Sequence, residues 1–475
     1  MYMSLFLGLL TSCLYASQPI QLHPDNPHYF LWQGKPTILI TSAEHYGAVL
    51  NPDFDYVTYL ATLAKDGFNY TRIFVGGTYV EPLGAFNIPR NTLAPKGDRF
   101  LCPWRRSDVS GYAGGGAKFD LTQWDNGYFR RLKDFISEAE KQGIVVEVTL
   151  FCPFYADAQW NLSPLNSKNN VNSTPQVDRT HVYTLDKHKG LLVYQEQLTR
   201  KVVTELSDAG NVIFELCNEP YFGGVTLDWQ HHIADSIVEA QKDLPDKKLI
   251  AQNMANKGAV VKYPHAAVSI LNFHYAAPPN TVAENYALNR VIGDDETGFR
   301  GIKDRPYRIE GWDFIVAGGG LYNNLDYSFV AGHEDGSFVV PQGAPGGGNA
   351  GFRQSMRALR NFINQFDFIH MKPGNHVISQ IAPKDLSARA LINPGKEYAL
   401  YLRTMSKKQV NFKANQVIIH LNLPSGKYRA QWISTRTCHV EKAEVFEQKN
   451  GVRPLSAPSF TGDIALAVHK SLDLR

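Results

Sequence analysis

Between residues 36 and 370 the chain alternates short apolar runs with longer stretches whose apolar positions recur every three or four residues. The first pattern predicts strands covered on both faces, the second amphipathic helices. The apolar runs are PTILITS (36–42), FNYTRIFVG (68–76), GIVVEVTLF (143–151), NVIFELC (211–217), KKLIAQN (247–253), AAVSILNFHY (266–275), NRVIGDD (289–295) and NLDYSFV (324–330). Between them lie helical stripes such as Leu191, Tyr194, Leu198, Val202 and Leu206, and Met356, Leu359, Phe362, Ile363 and Phe366. Eight strand and helix units in this length predict an α/β fold, a (β/α)8 TIM barrel over residues 18–372. No GxGxxG or Walker sequence opens a helix, which argues against the open nucleotide-binding sheets.

Three strand-to-helix connections, 77–124, 152–187 and 331–350, are far longer than joining loops need to be. In a barrel such loops emerge on one rim, where binding and catalytic groups are built. After KPGN (372–375) the pattern changes to alternating runs, EYALYLRT, NQVIIHLNL, KYRAQWIS and GDIALAVHK, separated by turn sequences. Residues 376–475 therefore predict a C-terminal all-β domain of sandwich type.

The apolar run SLFLGLLTSCLYA predicts a signal peptide over residues 1–16, too short for a membrane span. LTSC (10–13) offers an alternative, a lipoprotein signal ending before Cys13 with a lipid anchor on that cysteine. Both predict an exported protein, periplasmic, outer-membrane-anchored or extracellular. Cys102, Cys152, Cys217 and Cys438 show neither CxxC nor zinc-site spacing. Cys152 and Cys217 are expected as small buried apolar groups, and in an oxidising compartment Cys102 is placed to bridge to a neighbouring loop. The formal charge of +3 comes from scattered basic residues. That pattern predicts no nucleic-acid partner.

Candidate chemistry begins at FELCNEPYF (214–222), where a buried run stops at Asn218-Glu219-Pro220. A proline cannot continue a ladder, so the strand ends there and places Glu219 on the rim. A second carboxylate, Glu296 in VIGDDETGF, ends the seventh run, and strands four and seven of an eight-stranded barrel face one another. Two carboxyl groups so placed, with oxygens about 5 Å apart, suit glycosidic bond cleavage with retention. Glu310 in YRIEGW is the rival; a helical pattern around it predicts a solvated or capping side chain. Asp294 and Asp295 have no partners at ligand spacing along the chain, so no metal is expected.

With Asn-Glu-Pro after strand four and a glutamate after strand seven, the chain resembles the clan A glycoside hydrolases, including the family 5 cellulases and mannanases. FLWQGKP (30–36), YRIEGWDFIVAGGGLYNNLDYSF (307–329) and the all-β C-terminus resemble the cellulase-like, DUF4038-type bacterial proteins. The resemblance implies a retaining glycosidase without cofactor, acting on an oligo- or polysaccharide, with Glu219 as general acid and base and Glu296 as nucleophile. It implies that Asn218 binds the sugar 2-hydroxyl and Arg72 steadies Glu296. His274 and Tyr275 resemble the clan's His and Tyr. Neighbouring strand residues point to opposite faces, so one of the two is expected to turn away, His274 being the better placed. Arg72 is expected to hold Glu296 ionised, and an apolar surround to raise the pKa of Glu219.

Trp104, Trp160 and Trp229 are candidates for stacking on sugar rings or for packing inside the loops. Tyr327 and Phe329 stand where clan members carry a tryptophan after strand eight. His45 and Glu44 either contact sugar or satisfy loop backbone, and HEDGS (333–337) borders the same rim. A transglycosidase using the same carboxylates and a non-catalytic carbohydrate-binding barrel are the alternative functions.

Overall fold

A computed structural model describes residues 18–471 except 186 and 450. The expected signal segment, with Cys13, lies outside the described residues. Eight parallel strands form the barrel: β1 Leu39–Ala43, β2 Tyr70–Phe74, β3 Val145–Phe151, β4 Val212–Cys217, β5 Leu249–Asn256, β6 Val268–His274, β7 Val291–Thr297 and β8 Leu321–Leu325. Hydrogen-bonded pairing runs β1-β8-β7-β6-β5-β4-β3-β2. The seam between β1 and β2 is bridged by the Asn69 side chain, which accepts from Ile40 N at 3.0 Å and donates to Ile38 O at 2.9 Å.

Four of the helices begin where the sequence supplies a side-chain cap. Asp55 caps Tyr56–Lys65, Asp125 caps Asn126–Lys141, Thr226 caps Leu227–Gln241 and Asn349 caps Ala350–Ile363. The expected stripe over Met356, Leu359, Phe362, Ile363 and Phe366 is buried throughout. One crossover departs from the eightfold pattern, because residues 257–267 join β5 to β6 without a helix. The eighth strand lies earlier than expected, at Leu321–Leu325. Its Asn-Asn pair resembles a turn but is divided between the two faces of the strand: Asn323 Nδ2 donates to Asp295 O at 3.0 Å in the polar barrel interior, and Asn324 accepts from the Thr297 hydroxyl on the outer face.

The interior is layered. Each strand contributes one residue to an apolar floor: Leu39, Tyr70, Val145, Ile213, Ala251, Ile270, Val291 and Leu321. Ile20, Phe30 and Trp32 close this floor from below. Phe30 and Trp32 come from a hairpin whose Gln33-Gly34 turn has φ of +50° and +71°, the conformation a two-residue hairpin turn demands. Above the floor lies a polar layer built around Arg72, and above that the open mouth.

The C-terminal region is a six-stranded antiparallel sheet facing a three-stranded one. Alternation along Glu397–Thr404 gives each face a partner: Tyr398, Leu400 and Leu402 enter the core between the sheets, while Ala399 and Tyr401 join the barrel core. Tyr401 stacks on Trp312 at 5.7 Å, and Arg308 in the helix Asp304–Val316 pairs with Asp463 at 2.7 Å. That helix is therefore covered on both sides. Burial follows for Glu310, which is 1% exposed and bound to Arg300 at 3.0 Å, correcting the expectation that it is solvated or capping. Burial pushes the Glu310 pKa up to about 7.

Candidate active site

Loops after the strands enclose a cavity of about 370 Å³ at the C-terminal mouth, within the range typical of ligand sites. Glu219 follows β4, Glu296 lies near the end of β7, and both line it. His274 ends β6 between them. Its Nδ1 is 3.2 Å from Glu219 Oε1 and 3.6 Å from Glu296 Oε1, and its Nε2 is 3.3 Å from Asp295 Oδ1. One ligand-type atom from each of Glu219, His274 and Glu296 lies within 4.8 Å of the others, so the two carboxylates converge.

Both His274 and Tyr275 serve the site, against the expectation that one turns away. Tyr275 has φ of +56°, and the β6 to β7 register shifts between Phe273 and His274, so the two-residue alternation is broken there. The Tyr275 hydroxyl donates to Glu296 Oε1 at 2.5 Å, while the Tyr46 hydroxyl donates to Oε2 at 2.8 Å. Tyr46, Glu219, Tyr275 and Phe299 all follow strand ends with φ between +38° and +61°. Left-handed backbone in bulky residues costs about 1–3 kcal/mol each and clusters where geometry serves function.

Arg72 on β2 is fully buried below the carboxylates. Its Nη1 is 3.5 Å from Glu296 Oε2 and its Nε 3.2 Å from Asp295 Oδ2, its Nη2 pairs with Glu215, and its Cζ lies 4.7 Å from the centroid of the Tyr46 ring. Nη2 also donates to Asn218 Oδ1 at 2.8 Å, which orients Asn218 as it enters the cavity. Arg72 thus holds Asn218 and Glu296 in place and does not itself line the cavity.

The electrostatic order of the carboxylates is the reverse of that expected. Burial raises the pKa of Glu219, but the His274 imidazole and the Tyr155 hydroxyl outweigh it, so Glu219 sits below the usual carboxylate value. Burial, reinforced by the Glu219 charge, prevails over His274, Arg72 and Tyr275 at Glu296 and raises it. The physical reason is His274. Burial opposes its charge, yet Glu296, Asp295 and Glu219 together raise its pKa well above the ordinary value, and the resulting imidazolium lies closer to Glu219.

A second group, Glu147, Glu215 and Asp295, brings ligand atoms within 4.8 Å of one another, although chain spacing gave no sign of it. The Arg72 guanidinium and the hydroxyl and amide donors of Tyr70, Thr149 and Asn272 already bind these carboxyls. Its chemistry is that of a compensated charge layer supporting the site.

Of the remaining expected contacts, His45 lines the cavity. Its Nδ1 lies 3.0 Å from Asn91 Nδ2, and burial lowers its pKa to about 4, so it is neutral. Tyr327 is buried behind it, with ring centroids 5.2 Å apart, and does not line the cavity. The tryptophans are loop core. Trp104 stacks on Trp124, Trp160 packs on Phe154 and donates to Val177 O, and Trp229 packs on Phe151 and donates to Gln195. Glu44 accepts from Gly47 N and Ala48 N, the backbone role. Cys102 is buried and free, as are Cys152 and Cys217.

Sequence reasoning missed Tyr46, Tyr155, Glu81, Phe222 and Phe299, all of which line the cavity. Tyr155 donates to Glu219 Oε2 at 2.6 Å. Tyr46, Phe222 and Phe299 sit one to three residues from the motifs at His45, Glu219 and Glu296, and that adjacency was the available signal. Tyr155 and Glu81 lie in long loops that carry no motif.

The family model for cellulase (glycosyl hydrolase family 5) matches residues 33–285. A candidate glycoside hydrolase from Bacteroides vulgatus ATCC 8482 superposes with a TM-score of 0.66 at 13% identity, over 96% of this chain and 83% of that one. A family 5 glycoside hydrolase from the same organism superposes at 0.61 with 13% identity, over 95% and 93%. These structural likenesses are likenesses of fold. No curated protein matches the chain by sequence.

Proposed function

Because the chain belongs to glycosyl hydrolase family 5, the cellulase family, we propose that it is a retaining glycoside hydrolase cleaving a β-glycosidic bond by double displacement. The observation that carries this reading is the convergence of Glu219 and Glu296 in one cavity around His274. Glu219 holds a proton and delivers it to the leaving oxygen. Glu296 attacks the anomeric carbon and forms a glycosyl ester; Glu219, now a carboxylate, takes a proton from water, which attacks the same carbon and frees Glu296.

Three donors support Glu296 in this role. Tyr275 and Tyr46 bind its two oxygens and Arg72 lies beside Oε2, so the carboxylate is stabilised when it departs from the sugar. The titrations of the two carboxyls are coupled. His274 lowers Glu219, whereas a glycosidic oxygen accepting from Glu219 favours its protonated form, so bound substrate raises the share of the productive state. The apolar run at residues 4–16 supports export as the setting, which cell fractionation would check.

The test is hydrolysis of 4-nitrophenyl β-glycosides and β-linked polysaccharides by the full chain and by Glu219→Gln and Glu296→Gln. Turnover with retained anomeric configuration, abolished in the second variant, supports the reading. Sugar binding that is identical in all three proteins, with no turnover in any, supports a binding protein instead.

A further inference from the structure

A third carboxylate faces the catalytic cavity, on the long loop after β2. Glu81 is 4% exposed. The Tyr79 hydroxyl donates to its Oε1, and Gln159 Nε2 donates to its Oε2 at 3.0 Å. The two donors fix the carboxylate and leave each oxygen a further lone pair. Glu81 lines the catalytic cavity and also a neighbouring one of about 250 Å³. Among the described residues it has no ion-pair partner, although a buried carboxylate ordinarily acquires one.

Among the described residues, no lysine or arginine lines the cavity, whereas Glu81, Glu219 and Glu296 do. His45 is neutral, and the two cations nearby, Arg72 and the His274 imidazolium, are fully buried and already paired with Glu296 and Glu219. The walls are aromatic, including Phe74, Tyr79, Phe86, Phe222 and Phe299, whose ring faces carry negative partial charge. A sugar carboxylate or sulfate entering here would lose its water and meet three carboxylates with no lining cation to balance them, whereas a hydroxyl or ammonium group would find an acceptor ready.

From this we propose that Glu81 sets substrate specificity: its carboxylate accepts hydrogen bonds from hydroxyl or ammonium groups of the bound sugar and excludes uronic-acid and sulfated sugars. The inference rests on the glycosidase reading for the identity of the ligand as a sugar, but its test needs no turnover.

The full chain carrying Glu219→Gln, to suppress hydrolysis, is titrated calorimetrically with 4-nitrophenyl glycosides matched except for charge: β-glucoside with β-glucuronide, β-galactoside with β-galacturonide, and β-glucosaminide. Gel retardation by mannan, xylan and β-glucan is compared with retardation by alginate and polygalacturonate. The neutral member of at least one pair should bind about 30-fold tighter than its uronide, the glucosaminide no weaker than the glucoside, and only neutral polymers should retard. Adding Glu81→Gln should weaken neutral binding about tenfold and bring the neutral-to-anionic ratio below about threefold, because a charge-assisted acceptor and a repulsive charge are lost together. A residue that merely ties the two loops together would weaken both members alike and leave the ratio unchanged, which would overturn the proposal. Equal or tighter binding of a uronide, or no binding of any pair and any polymer, would overturn it too. Should the Glu81→Gln chain not fold, ionic strength serves instead: raising salt must strengthen uronide binding and leave neutral binding unaltered. Hydrolysis of a neutral glycan with an unchanged charge ratio sinks this inference alone, and a charge ratio without hydrolysis sinks the mechanism alone.

Discussion

Tyr275→Phe separates the two chemical steps. The hydroxyl it deletes donates to Glu296 Oε1 at 2.5 Å, and Tyr46 holds the other oxygen. A hydrogen bond to a charged group contributes about 1.5–3 kcal/mol, a factor of about 10–150 in rate if fully expressed. During glycosylation Glu296 starts as the anion and loses charge, so the missing bond weakens the ground state more than the transition state. During deglycosylation Glu296 starts as a neutral ester and regains charge as it leaves, so the loss falls on the transition state. The variant should therefore lose kcat by up to about 100-fold, lose much less in kcat/KM, and show a lowered KM with accumulation of glycosyl-enzyme. Stopped-flow release of 4-nitrophenol would show a burst equal to the enzyme concentration. Equal losses in kcat and kcat/KM without a burst, or a change below twofold in both, would refute the role given to this hydroxyl.

Other perturbations probe separate parts of the account. Asp463→Ala leaves Arg308 buried and unpaired and should cost about 3–5 kcal/mol in denaturant unfolding, still as one transition because the β-domain and the barrel share a core. Glu44 keeps its proton in the fold to about pH 7 instead of 4.5, because burial raises it. The stability this confers is present below pH 4.5 and lost as pH rises through 7, so the full chain should lose about 3 kcal/mol relative to Glu44→Gln across that window, at about 1.4 kcal/mol per pH unit. Glu219→Gln, assayed with a 4-nitrophenyl glycoside whose leaving group needs no acid, leaves Glu296 as the one titrating carboxyl of the pair; the bell-shaped kcat/KM profile should become a single acid limb rising to a plateau, with the alkaline limb gone.

The barrel was legible in the sequence because its strands are apolar runs, and Glu219 because Asn-Glu-Pro interrupts one of them. Glu296 was reachable from topology, since the strand count set it opposite Glu219. Contacts made only in space were not legible. Arg72, Glu215 and Asp295 come from three strands and assemble only when the barrel closes. The reversed electrostatics follow from His274, whose place between both carboxylates depends on where β6 stops. Tyr275 was half-dismissed because alternation was assumed, and a single left-handed residue breaks it. Glu310 departs from the periodicity because its face of the helix lies against the barrel, beside Arg300, Asp294 and Tyr322, while the β-domain covers the face carrying Arg308, Trp312 and Asp313. The tryptophans were ambiguous from the start, and loop packing took all three.

The most direct test of the account is chemical rescue by azide of Glu219→Ala and Glu296→Ala, with product anomers read by NMR. If Glu296 is the nucleophile and Glu219 the acid and base, azide intercepts the glycosyl-enzyme in Glu219→Ala and yields the β-glycosyl azide. In Glu296→Ala it takes the nucleophile's place and yields the α-glycosyl azide. The opposite assignment of anomers to variants, or rescue of neither, would contradict it.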